Sequence, residues 1–259
     1  MRSPMRRRGE ATALGLALAA LLAVPAAADT DAETLRRIEG RFAKAGLEQN
    51  TNIAITVEDG VVRLKGIALT LPDAREAERV ARKVAKNVIN EIRVVPEQAR
   101  SDRAILKDAE KTLSTYARYG VFDAVGLSVD SGVVRIEGFV LDIVRRREIE
   151  DRVARVAGVR DVHNDLRLQG MSQHDERLRL QLHARIYGDP MFARFAGWPE
   201  PPVRIFVDGG RATLAGTVNS ELERTVLGQI ANQGLAFSVR NMVQVEGAVP
   251  EEDRPKNEG

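Results

Sequence analysis

Ile53-Ala-Ile-Thr-Val-Glu-Asp-Gly60-Val-Val-Arg-Leu-Lys-Gly66 decides the fold, because the chain writes this phrase twice more. The second copy is Leu127-Ser-Val-Asp-Ser-Gly132-Val-Val-Arg-Ile-Glu-Gly138 and the third is Val203-Arg-Ile-Phe-Val-Asp-Gly-Gly210-Arg-Ala-Thr-Leu-Ala-Gly216. In each, apolar residues alternate up to one glycine and alternate again to a second glycine six residues on. Alternation at period two marks a half-buried strand, and the turn between the two runs marks a hairpin. Gly60, Gly132 and Gly210 stand 72 and 78 residues apart. That spacing is too long for a solenoid repeat and suits a small domain used three times.

The flanking sequence completes each unit. In residues 29–97, Thr30 and Glu33 form a capping box ahead of Leu35, Ile38, Phe42 and Ala45 at helical spacing. After the hairpin, Thr70, Pro72 and Asp73 open a second helix with an apolar face of Ala77, Val80, Ala81, Val84 and Val88. Ile92, Val94 and Val95 make a last strand. Residues 98–170 repeat the order: Ser101 or Asp102 caps a helix carrying Leu106, Ala109, Leu113 and Tyr116, and Asp142 caps the next. Residues 171–248 diverge. Leu178, Leu182 and Ile186 define a helix, a long loop runs from Asp189 to Pro202, and Ser220 with Glu223 caps the second helix. Helix, strand, strand, helix, strand predicts an α+β fold of three tandem αββαβ domains, each with two helices on one face of a three-stranded sheet. Arg63, Lys65, Arg135 and Glu137 on the other beat of the second strands imply a wet sheet face in the first two units. The polar residues 249–259 are expected to be disordered.

The N-terminus carries an export signal. Arg2, Arg6, Arg7 and Arg8 precede an apolar run from Ala13 to Val24, too short to span a bilayer, and Ala26-Ala-Ala28 fits a cleavage site. Residues 1–28 are therefore expected to be a signal peptide, and the address a soluble periplasmic one. Four arginines and Glu10 give that segment +3 of a total of +2, so the remainder is near −1 and a nucleic-acid partner is not expected. No second stretch is long and apolar enough to cross a membrane. The chain has no cysteine, which excludes disulfides and a thiol nucleophile.

The pattern resembles the BON domain, the bacterial osmotically inducible and nodulation domain. Its signature adds a Gly-Val-x-x-Val-x-Asn stretch before the last strand. Gly158-Val-Arg-Asp-Val162-His-Asn164 matches in full, while Asn87-Val-Ile-Asn90 and Leu235-Ala-Phe-Ser-Val239-Arg-Asn241 lack the glycine. The resemblance covers about residues 29–248. It implies a non-enzymatic module, without cofactor or metal, that binds phospholipid or envelope surfaces under osmotic or envelope stress. The alternative it leaves is a protein-interaction scaffold for outer-membrane or cell-wall machinery.

Two stretches are candidates for contact. Arg75, Arg79, Arg82 and Lys86 fall on one side of the second helix, opposite its apolar face, where an anionic lipid headgroup plane would meet them. A solvated helix face is the plainer reading. Met191, Phe192, Phe195 and Trp198, beside Arg194, would enter a membrane interface or hold a partner peptide, unless the loop folds back over its own core. Gly60, Gly66, Gly132, Gly138, Gly210 and Gly216 read as turn and strand-exit positions, and Asn90, Asn164 and Asn241 as side-chain turns into the last strands. His163, His174 and His183 lack the spacing of a zinc site, so solvent-facing or capping roles are expected. Gly209-Gly210 leads into a strand and so lacks the helix N-terminus of a phosphate cradle.

Overall fold

The computed structural model describes residues 26–198 and 201–247, with side chains from Thr30 onward. Most of the expected signal segment 1–28 and the tail 249–259 lie outside them. The first run of elements is α1 (Ala26–Lys44), β1 (Thr51–Glu58), β2 (Val61–Ala68), α2 (Leu71–Arg82) and β3 (Asn87–Val94). The second is α3 (Asp102–Ser114), β4 (Ala124–Asp130), β5 (Val133–Val140), α4 (Ile143–Ala154), β6 (Asp161–Asn164) and β7 (Arg167–Leu168). The third is α5 (Gln173–Gly188), β8 (Val203–Asp208), β9 (Arg211–Val218), α6 (Glu221–Asn232), β10 (Ser238–Asn241) and β11 (Gln244–Val245). The predicted α+β order recurs three times.

In every unit the returning hairpin strand is central, antiparallel to the strand before it and parallel to the strand after the second helix. The turns need left-handed backbone: Asp59-Gly60, Ser131-Gly132 and Gly209-Gly210 all have positive φ at both positions, as a two-residue turn matched to strand twist requires. The helices start where polar caps stand. Thr70, Ser101, Asp142, Ser172 and Ser220 each accept a backbone N–H from three residues on.

Three local expectations change and one open alternative is resolved. Helix α1 begins at Ala26, so Thr30 lies inside it and not at its cap; Ala26 to Ala28 are good helix formers and extend it backwards. Ser101, not Asp102, caps α3. Helix α2 ends at Arg82, and Val88 belongs to β3, where it pairs with Val62. A β-branched residue whose backbone can join a parallel ladder is held better there than in a fraying helix end. Lastly, the third strand of units two and three is broken in two at Asn164 and Asn241.

Each helix pair covers one sheet face. Ile38, Leu64 and Ala77 are fully buried in the first core, Ile136 and Ile149 in the second, and Leu182, Leu214 and Leu227 in the third. The units also touch. Ala68, Leu71, Ala74 and Val94 of unit one pack into the second core, Arg75 reaches Glu150 at 2.9 Å, and a cleft of about 440 Å³ opens between Leu71, Pro96, Arg100 and Val159.

Units two and three are sewn together more tightly. The outer edge of β8 is filled by unit two: Ile205 N–H donates to the Val121 carbonyl at 2.9 Å, and Gly170 N–H donates to Val207 at 3.0 Å. The buried Gln169 amide completes the edge, donating to the carbonyls of Phe122 (2.6 Å) and Ile205 (3.1 Å) and accepting from Val207 N–H (3.0 Å). Phe139 and Phe206, on the faces away from the helices, meet with ring centres 4.6 Å apart, and Arg167 lies over Phe206. The wet face expected for unit two is thus dry where unit three covers it, although Arg135 and Glu137 stay exposed. Replacing Gln169 strands three backbone groups, two of them buried, so Gln169→Ala is expected to cost about 2 kcal/mol. Calorimetry should then show units two and three melting apart, where the parent melts them together.

Candidate functional site

The cation row begins one turn into α2, at Arg75, and is largely satisfied from within. Arg79 bonds Glu76, Arg82 bonds Glu78 at 2.7 Å, and Arg75 is drawn to Glu150 of the second unit. Partial burial works against ionisation of Glu78, but hydrogen bonds from Arg82 and Asn90 outweigh it and hold the carboxyl below its ordinary value. Lys86 lies past the helix end, in the turn before β3, so the predicted row of four cations on one helix is shortened to three. The acids that flank the row in sequence swing onto it because i,i+3 and i,i+4 neighbours share a helix face.

The aromatic loop is also corrected. Phe192 is fully buried and Phe195 nearly so, both inside the third core with Tyr187, so neither faces a membrane. Tyr187 donates its hydroxyl to the Val203 carbonyl at 2.6 Å, and burial pushes that hydroxyl up to about 12. Met191 is half-buried. Trp198 remains 55% exposed, edge-on to Phe195. Arg194 lies over the Phe195 ring and bonds Glu223 at 2.6 Å. The loop is the lid of its own domain, and among its described aromatic residues Trp198 alone is turned out.

The motif residues hold each unit together by one device repeated. Asn90, Asn164 and Asn241 each accept from the backbone N–H two residues on, at 3.0, 3.2 and 3.2 Å. Each also donates to the preceding helix: Asn90 to Glu78, Asn164 to the Arg146 carbonyl and Glu150, Asn241 to the Arg224 carbonyl. At Gly66 and Gly138 a side chain would overlap the backbone of the facing strand, and at Gly216 the Pro202 carbonyl just before β8.

A second device escaped the sequence reading. An aspartate at the start of each unit grips the hairpin turn. Asp31 accepts from Gly60 N–H at 3.0 Å, Asp102 from Ser131 and Gly132 N–H at 2.8 Å each, and Asp175 from Gly209 (3.3 Å) and Gly210 (2.7 Å). The signal was present as an acid 29 to 35 residues before each turn glycine, but acids in first helical turns are common enough to hide it.

Exposed apolar residues gather on the third unit. Phe237 is 79% exposed, with its ring against Gly210 and stacked on His174; Leu235 and Met171 are also open. Phe237 takes the place of Arg160 in unit two: the N–H of each donates to its turn glycine, Gly210 and Gly132. Lining up the repeats would have exposed that exchange of a cation for a ring. His174 is half-buried, and His183 packs between Phe122 and Tyr187 at the seam instead of facing solvent; His163 is exposed on β6. Among the described residues no acid and histidine cluster can hold a metal, and no helix is long and apolar enough to cross a membrane.

These features define a class: a tandem array of small αββαβ domains whose repeated residues serve turn and strand geometry. A family model described as the BON domain matches residues 30–96, 114–170 and 175–251. The chain belongs to the BON domain family, whose members are generally non-catalytic. No curated protein matches it in sequence. Among solved structures it is similar to CdsD, a structural protein of the type III secretion system of Chlamydia trachomatis, at 17% identity, covering 85% of this chain and 94% of that one with a TM-score of 0.23. It is also similar to the periplasmic domain of the type III secretion inner-membrane protein PrgH from S. typhimurium, at 11% identity, 76% and 94% coverage and a TM-score of 0.20.

Proposed function

We propose that the chain is a non-enzymatic periplasmic protein that attaches to anionic phospholipid or envelope surfaces through its tandem BON units, residues 29–97, 98–170 and 171–248, after removal of residues 1–28. The threefold BON match carries this reading. Several weak contacts on one chain raise the effective concentration of each at the surface. Unit one contributes charge through Arg79, Arg82 and Lys86. The internal pairing of Arg79 and Arg82 makes that contribution smaller than four free cations would give. Unit three contributes apolar anchors, Trp198, Phe237 and Leu235, of the kind that settle at a membrane interface.

Vesicle co-sedimentation tests the reading. The protein should pellet with anionic vesicles, less with neutral ones, and less as salt rises. Phe237→Ser should weaken vesicle binding on the order of tenfold, the worth of one buried aromatic side chain, without lowering the melting temperature. No pelleting with either vesicle would overturn the proposal.

A further inference from the structure

We propose that the outer edge of β1 pairs with the same edge of a second copy, joining two chains through one antiparallel sheet. The three units show the same edge in three states. On β8 it is filled at Ile205 and Val207 by the backbone and Gln169 of unit two, and at the Val203 carbonyl by the Tyr187 hydroxyl of its own unit. On β4 its first outward amide, Val125 N–H, is taken by the Tyr119 hydroxyl at 3.1 Å. On β1 the outward residues are Ile53, Ile55 and Val57, and among the described residues nothing bonds their N–H and carbonyl groups on that side.

Strand β1 also lacks the usual defences of an edge. It pairs with β2 over eight residues in unbroken register, contains no lysine or proline, and carries one charge, Glu58, at its end. Its sequence complements itself. A two-fold axis at Ile55 sets Ile55 opposite Ile55, Ile53 opposite Val57, Ala54 opposite Thr56 and Asn52 opposite Glu58. Every outward-bonding residue then faces another, no like charges meet, and residues 52 to 58 all overlap. The pairing is isologous, so it closes at two copies. Ile53, Ile55 and Val57, half-buried now, would be covered on the helix side. This inference is independent of lipid binding.

Sedimentation velocity of the purified protein from micromolar to about 100 μM should show monomer passing to dimer. Amide exchange should slow at Ile53, Ile55 and Val57 as concentration rises. Two double variants test the register. Ala54→Lys with Thr56→Lys places like charges opposite each other across the pair and should weaken the dimer at least about tenfold. Ala54→Glu with Thr56→Lys places opposite charges there and should dimerise at least as well as the parent. Positions 54 and 56 are exposed, so both variants should fold. A parent that stays monomeric at every concentration overturns the proposal, including the case in which β1 is protected only when another protein is added. A dimer indifferent to the charges at 54 and 56 also overturns it.

Discussion

Gly138→Ala is expected to unfold the second unit. Gly138 has φ +117°, and a Cβ there would overlap the Ala124 carbonyl oxygen across the hairpin. The obstacle is backbone in a paired strand, so no rotamer relieves it. Strained φ costs roughly 1–3 kcal/mol and forced overlap adds a similar amount. About 4 kcal/mol is a large share of the 5–15 kcal/mol that holds a typical domain. Gly66 faces the Asn52 carbonyl and Gly216 the Pro202 carbonyl in the same way, so Gly66→Ala and Gly216→Ala should each weaken their own unit. Gly126 is the control: it lies on the same hairpin, yet a Cβ there has its nearest neighbour at 4.0 Å. Denaturant unfolding should show an early transition for Gly138→Ala and nearly parental behaviour for Gly126→Ala. Equal midpoints for the two would show that the strand-exit glycines are not sterically required.

The second large effect belongs to Asp175. Its carboxylate is almost wholly buried and accepts from Gly210 and Gly209 N–H and from the Ser172 hydroxyl at 2.8 Å. Asp175→Ala leaves a buried amide with no partner and should cost about 3 kcal/mol. The series is graded by burial. Asp102→Ala loses two bonds at a more open turn and should cost less, and Asp31→Ala loses one exposed bond and should cost least. Acid titration gives an independent check. Burial raises the carboxyl of Asp175, but the Gly210 and Gly209 amides, the Ser172 hydroxyl and Arg179 together outweigh it and hold it below its ordinary 3.8. A lowered carboxylate stabilises the fold above its unfolded value and loses that contribution as pH falls through the folded one. The parent should therefore lose this part of its stability below about pH 4, and Asp175→Ala should lack that part of the acid dependence. An unchanged acid profile in the variant would contradict the assignment.

The two grips differ in how far they could be read in advance. Turn glycines were legible because left-handed backbone is a demand made by two adjacent residues. Caps such as Ser220 with Glu223 were legible for the same reason, within three residues. The aspartate grips were not, since each joins residues 29 to 35 apart and nothing near Asp175 announces Gly210. The cation row failed in a different way. The helical angles of Arg75, Arg79 and Arg82 were read correctly, but Glu76, Glu78 and Glu150 decide what those cations touch. Lys86 was misplaced because an apolar periodicity through Val84 and Val88 fits a helix and a strand about equally over so short a span.

By itself the sequence determined three copies of one αββαβ plan, the hairpin turns and the glycines that neither turn nor strand exit can lose. These are set by dihedral limits and by periodicities that repeat within a few residues. Tertiary structure alone decided that Phe192 and Phe195 turn inward while Phe237 turns out, that Arg75 serves the junction of units one and two, and that Gln169 locks unit two onto β8. Those outcomes depend on which distant surfaces compete for the same apolar cover and the same hydrogen bonds. That competition is settled only when the units pack.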